Sequence, residues 1–332
     1  MTDKRKAPNR NSGGILRSME EMRSYLDRFF ETFSYPDDAR EFLMQAYLKG
    51  CENENIRQLV DSILQNYGEN HHYNFWKTLP ALYEQFAAEG VHEYTAILLL
   101  FICMTKPLKE HYLKQGLSES MWFTAVQDLK WKMDECKCMH NIWGTFVAGW
   151  FGGFFHMHRF SFGKLQFETF TFGKTLEMFG MAPDVRYQKD GVTLDADTVV
   201  IPVHIPRTGT RLDKESLESS YKEAADFYKN YAQNGKVLFV CHSWLLFPRN
   251  KEVLSESSNL YRFISNYDIF AEGVYKDYSE SWRLFDVEYK GDVDQLPQNT
   301  SLRRAYADWI RKGEKTGWGY GVYAYRIQES EK

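Results

Sequence analysis

The chain has 332 residues, a formal net charge of −4 and an aromatic content of 16%. That length and that stock of large apolar side chains allow two domains with cores of their own. The slightly acidic balance, with no basic tract beyond Lys4-Arg5-Lys6, argues against a nucleic-acid partner.

Residues 1–14 are polar, lack periodicity and hold no apolar core of the kind a secretory signal carries, so they read as a disordered tail. From Ile15 the pattern is helical: Ile15, Met19, Met22, Leu26, Phe29 and Phe33 mark one face, and Pro36 ends the run. Further helices fit Pro36–Lys49, Asn55–Tyr67 (closed by Gly68), 74–89, 92–105 (stopped by Pro107) and Ser118–Met139. The most apolar run, Tyr94–Met104, is about half the length of a membrane span, so no membrane partner is expected. Five scattered cysteines (Cys51, Cys103, Cys136, Cys138 and Cys241) are too few for a disulfide framework, and the expected setting is cytoplasmic. Residues 15–150 thus read as an all-helical bundle.

Clustered glycines and aromatics at 149–155 end that rhythm, and 155–330 reads as a second, mixed α/β domain. Strand-like segments occupy 164–171, 174–181 and 184–188. Asp197–Pro206 is apolar and β-branched, as a buried strand should be. Leu217, Tyr221, Ala224, Tyr228 and Tyr231 then form a helical stripe with Asp213 as its N-cap. Lys236–Phe247 is a second apolar strand. A strand–helix–strand crossover of this length makes the two strands parallel. A short helix at Asn259–Ser265, strands at Ile269–Tyr275 and Ser281–Tyr289, a helix at Ser301–Lys312 and an aromatic strand from Gly317 complete the chain. The fold class is α+β.

Leu165-Gln-Phe-Glu168, Val203-His-Ile-Pro206, Cys241-His-Ser-Trp-Leu-Leu246, Ser257-Ser-Asn-Leu260 and Leu296-Pro-Gln-Asn-Thr-Ser-Leu302 together resemble a family of bacterial acyltransferase-domain proteins. These pair a helical N-terminal domain with a GNAT-like C-terminal one. The resemblance implies a mixed sheet that binds acyl-coenzyme A between two parting strands and transfers the acyl group directly to a small amine. Mapped here, Val203 and Ile205 lie on the coenzyme-side strand, and Arg207, Thr208, Gly209 and Thr210 form the diphosphate turn ahead of the helix. The turn departs from the usual pattern. It has a single glycine, and Asp213 and Glu215 place carboxylates where a diphosphate would sit.

Each candidate residue has a functional and a structural reading. Glu168 shares a strand face with Gln166; between phenylalanines its pKa is expected to rise, which suits a general base, whereas its other reading is a surface ion pair. His204 is a proton acceptor or orienter, or a strand histidine satisfied by backbone. Pro202 before it marks an edge, a bulge or a splayed strand. Cys241 is a thiolate nucleophile or a buried small hydrophobe, and the second is favoured. His242 and Ser243 line a cleft. Asn259 is first a helix N-cap and second a ligand contact. Cys136-Lys-Cys138 and His156-Met-His158 invite a metal, but positions two apart on a helix diverge, and none is expected. Beside acyl transfer, two alternatives stay open: a catalytically silent scaffold that binds a ligand or protein, and a thioester hydrolase using Cys241.

Overall fold

From Thr95 to Thr105 every side chain is buried, and this uninterrupted run forms the centre of the first half of the chain. A computed structural model describes residues 10–182, 185–208 and 212–327, dividing them into two compact units between His156 and Met157.

The first unit consists of α1 (Arg10–Thr32), α2 (Asp37–Glu52), α3 (Glu54–Glu69), α4 (Leu79–Ala88), α5 (Glu93–Lys114), α6 (Glu119–Val126), α7 (Asp128–His140) and a single turn, α8 (Gly152–Phe155). α5 holds the buried run and packs against α1, α2, α3, α4, α6 and α7, as a helix apolar on all sides must. Leu26, Phe29 and Phe33 of the α1 stripe are buried, and Ser118 caps α6 by accepting from the Met121 N–H. Pro107 does not stop α5, which runs on to Lys114. An interior proline costs a helix about 3 kcal/mol, but burying a large apolar side chain returns about 1.5–3 kcal/mol. Leu108 and Tyr112, both fully buried beyond the proline, carry the helix through. Gly68 lies inside α3 rather than closing it. Among the described residues no single helix is long and apolar enough to cross a membrane.

The second unit is built on a seven-stranded sheet. Its strands are β1 (Arg159–Phe162), β2 (Leu165–Glu168), β3 (Phe170–Thr171), β6 (Val199–His204), β7 (Lys236–Ser243), β8 (Asp268–Val274) and β9 (Gly317–Arg326); β4 (Tyr187–Lys189) and β5 (Val192–Leu194) form a separate hairpin. The order is β1-β2-β6-β7-β9-β8, with β3 also on β6. Among the described residues only β6 and β7 run parallel, joined by α10 (Lys214–Phe227), as the crossover requires. Asp213 caps α10 by accepting from the Ser216 N–H.

Alternation divides the sheet. Phe167 and Phe239 point to α10, where they meet Tyr221. Val200, Leu238, Val240, Tyr320 and Val322 point the other way and form a core with Phe172 and Leu176 of α9 (Phe172–Met178) and with the β4–β5 hairpin. A third cluster joins Phe285 of the short helix Trp282–Phe285 to Tyr306, Ala307 and Ile310 of the helix Ser301–Arg311.

Several expected elements differ. Residues 174–181 contain most of α9, not a strand: the Thr171 side chain caps a helix there by accepting from the Lys174 N–H. Ser281–Tyr289 opens as a 3₁₀ turn and a short helix ending at Asp286, whose φ is +66°. α10 stops at Phe227, so Tyr231 falls outside its stripe and is exposed. Ser258, not Asn259, caps the helix Asn259–Ser265, because its hydroxyl accepts from the Tyr261 N–H. Pro202 does not mark an edge, since β6 has neighbours on both sides.

Candidate active site

β6 and β7 are paired through two register positions, Ile201↔Phe239 and Pro202↔Val240. Past them each strand pairs with its other neighbour. Val203 and His204 lie across from Phe167 and Gln166 of β2, and Cys241–Ser243 lie across from Gly321, Tyr320 and Gly319 of β9. The registered ladder between the two parallel strands therefore ends there, and the margin beyond it, at their C-terminal ends, is termed the split. Pro202, with no N–H to donate, occupies the last paired position. α10 begins on the same side, so its amino end faces that opening's neighbourhood.

His204 and His242 each lie two residues beyond the last pair. By alternation they share the sheet face of Val240 and Val200, on either side of the split. Their surroundings differ. His204 Nε2 donates to Glu168 Oε2 at 2.8 Å. Arg159 Nη2 donates to the same oxygen at 2.8 Å, and His158 Nε2 lies 3.4 Å from Glu168 Oε1. Glu168 itself is buried. Burial pushes its pKa up, but the hydrogen bonds from His158 and His204 and the charge of Arg159 outweigh it, holding the carboxyl well below its ordinary range. The expected rise in the Glu168 pKa is thus reversed, because the phenylalanine-flanked carboxylate has a buried guanidinium and two imidazoles for company. It is a fixed anion, and a poor proton acceptor near neutrality.

His242 stacks on Phe179, with ring centroids 3.8 Å apart and planes within 9°, and lies 4.6 Å from the Trp318 ring. Burial lowers its pKa to about 4, so its imidazole is neutral near pH 7. Cys241 faces the opposite side, buried, with its thiol pushed up to about 12 by burial. A thiol so placed is not a ready nucleophile. Ser243 accepts from the Leu245 N–H and so shapes the turn after β7.

Of the remaining candidates, Gln166 lies directly across from His204 and is fully buried. The Val203 side chain is part of the core, and Ile205 follows the end of β6. Arg207 forms an ion pair with Asp286, which also holds Arg303. The Thr208 N–H donates to the Pro206 carbonyl. Gly209 and Thr210 lie outside the described residues. Asn259 is the first residue of its helix. The structure thus gathers Gln166, Glu168, His204 and His242 on one face about the split; Cys241 points away from it.

The sequence reading missed His158, Arg159, Ser161 and Asp286. Arg159-Phe-Ser-Phe162 alternates and precedes Gly163-Lys164, the two-residue turn of a hairpin, with Gly163 at φ +57°. That signal, joined to the Leu165–Glu168 pattern, puts Arg159 across from Glu168. His158 was noticed only for its spacing to His156.

Residues 24–157 match the family model described as the N-acyltransferase N-terminal domain, and residues 159–323 match the one described as the GNAT-like C-terminal domain. The chain belongs to the acyltransferase-domain family that joins these two domains. No curated protein sequence matches it. Among solved structures, this family member is similar to an acyltransferase mutant in complex with octanoyl-CoA, at 16% identity and a TM-score of 0.66, covering 96% of each chain. A structure of an acyltransferase in complex with decanoyl-CoA and teicoplanin gives 16% identity and a TM-score of 0.65, covering 95% of this chain and 96% of that one. Another, in complex with decanoyl-CoA, gives 18% identity and a TM-score of 0.55, covering 70% of this chain and 66% of that one. At these identities the family member shares their fold.

Proposed function

We propose that this protein transfers an acyl group from acyl-coenzyme A directly to the amine of a small molecule. The split between β6 and β7, flanked by the Glu168–His204 pair, carries this reading. The residues fit the coenzyme at the split. Backbone of Val203–Ile205 and Cys241–Ser243 would border the pantetheine arm, with Arg207, Thr208 and the amino end of α10 toward the diphosphate. The acyl-coenzyme A structures of the similar acyltransferases support the same donor.

His204 gives its Nε2–H to Glu168, which fixes the orientation of the ring at the split. His204 takes the proton that the amine loses as it attacks, and Glu168, held ionised by Arg159, orients the ring and steadies the imidazolium. The donor supplies a thioester, whose C–S bond breaks as the C–N bond forms, the thiol leaving with a proton. Glu168 therefore serves as orienter, and His204 as base. His242, neutral and stacked between rings, lines the β7 side of the split rather than moving protons. The thioester hydrolase alternative loses support with the buried, high-pKa thiol of Cys241.

The scaffold alternative keeps one feature in its favour: Arg207 is already paired with Asp286, and Asp213 occupies the amino end of α10. Melting in the presence of acetyl-, octanoyl- and decanoyl-CoA separates the two. A donor at a hundred times its Kd stabilises the fold by about 2.7 kcal/mol. Stabilisation by at least one donor, with turnover lost in His204→Ala while that stabilisation persists, is the expected result. No shift with any donor leaves the scaffold.

A further inference from the structure

Three neighbouring strands place polar side chains in a row on the face that holds the base. Ser161 of β1 lies across from Gln166 of β2, and Gln166 lies across from His204 of β6. Adjacent strands are about 4.8 Å apart, so the row leads from the split, past His204, to Gln166 and then Ser161. Gln166 is 0% exposed, yet among the described residues both its Oε1 and its Nε2 lack a hydrogen-bond partner; so does Ser161 Oγ. A buried carboxamide with both ends unmatched is rare in native proteins, because each end forfeits its bonds to water. Gln166 is not part of the aromatic packing on α10, which lies on the opposite face, behind Phe167.

We infer that Gln166 and Ser161 recognise the acceptor. The row sets the donor on one side of His204 and this unmatched amide on the other, so an amine attacking at His204 carries its neighbouring substituent onto Gln166. His204, a quarter of whose side chain is exposed, is the member of the row nearest to the split and open to solvent. A carboxamide offers two N–H donors and an acceptor oxygen, and a hydroxyl can both donate and accept. The matching ligand is a neutral group that also gives and takes hydrogen bonds, set beside the reactive amine: a hydroxyl, as in an amino alcohol, or an amide, as in an amino-acid amide. A plain alkylamine would leave the row unmatched and is discriminated against. This inference rests on the acyltransferase reading and adds the acceptor's chemical class to it.

The test uses the full chain with whichever acyl-CoA stabilises it. Thiol release is measured with 2-aminoethanol against n-propylamine, and with glycinamide against n-butylamine, separating hydroxyl from amide. The expected wild-type preference in at least one pair is about tenfold in kcat/KM, collapsing toward parity in Gln166→Leu. Because Gln166→Leu and Gln166→Met both remove an unmatched buried amide, both should also melt higher than the wild type. Ser161→Ala, a smaller change, should narrow the same preference. A wild-type ratio within about twofold in both pairs, or a preference untouched in Gln166→Leu, overturns the inference. So does a lower melting temperature in both Gln166 variants, since the amide would then be satisfied within the folded chain. Stabilisation by acyl-CoA without release from any of these amines overturns it while leaving the donor site standing. No stabilisation by any acyl-CoA removes the acyltransferase reading and this inference together.

Discussion

His204 and His242 are the same residue type at matched positions on adjacent strands, and their neighbours give them opposite uses. One holds a buried carboxylate; the other lies between aromatic rings. His242 has a measurable consequence. Its folded pKa of about 4 lies below the ordinary value of 6.5, so between those values the unfolded chain binds a proton that the folded chain does not. Stability therefore falls as the pH drops through that window, and the contribution is whole above it. His242→Phe keeps a ring in the stack and removes the titration. Its melting temperature should vary less with pH across that window than the wild type's, which a melting series in matched buffers checks. Glu168 shows how far one residue can be read from sequence. Its face and its neighbour Gln166 follow from strand alternation, but the sign of its pKa shift depends on Arg159 and His158. Both precede the turn at Gly163, and only the hairpin register places Arg159 opposite it.

At the scale of elements, local signals succeeded where capping chemistry and periodicity agreed. Asp213 before the α10 stripe and Ser118 before α6 both cap as their positions imply. They failed where short apolar segments have no distinctive period. Residues 174–181 suit a strand by composition, and only Thr171 at the cap marks α9. Pro107 is the opposite case, a clear stop signal overridden by the burial of Leu108 and Tyr112 after it. If packing alone carries α5 through the proline, Pro107→Ala should restore a donor without disturbing the fold. Unfolding in urea should then give a gain of about 1–3 kcal/mol, with the lower figure expected because the ring's own contacts are lost.

Across the whole molecule, composition and periodicity alone distinguish a helical first part from a mixed second part, as the order of elements has it. The split in the sheet was not legible in the same way. Pro202 permitted an edge, a bulge or a parting of strands, and the choice depends on which strands lie beside β6, a matter of long-range pairing. Hydrogen exchange offers a test at this scale. Saturating acyl-CoA should slow exchange at the amides of residues 203–205 and 241–243 more than at those of the buried α5 core. Uniform slowing, or none at the split, would place the ligand elsewhere.

The unfinished seam between β6 and β7 also bears on the protein's company. Two strand margins in the middle of a sheet carry backbone groups that another chain's strand can pair with as readily as a ligand can border them. Pro202 withholds a donor at the very place where such pairing would start, and His204 beside it is committed to Glu168. The margin is thus left short and blunted, so the seam proposed to border a thioester is kept from recruiting a neighbour.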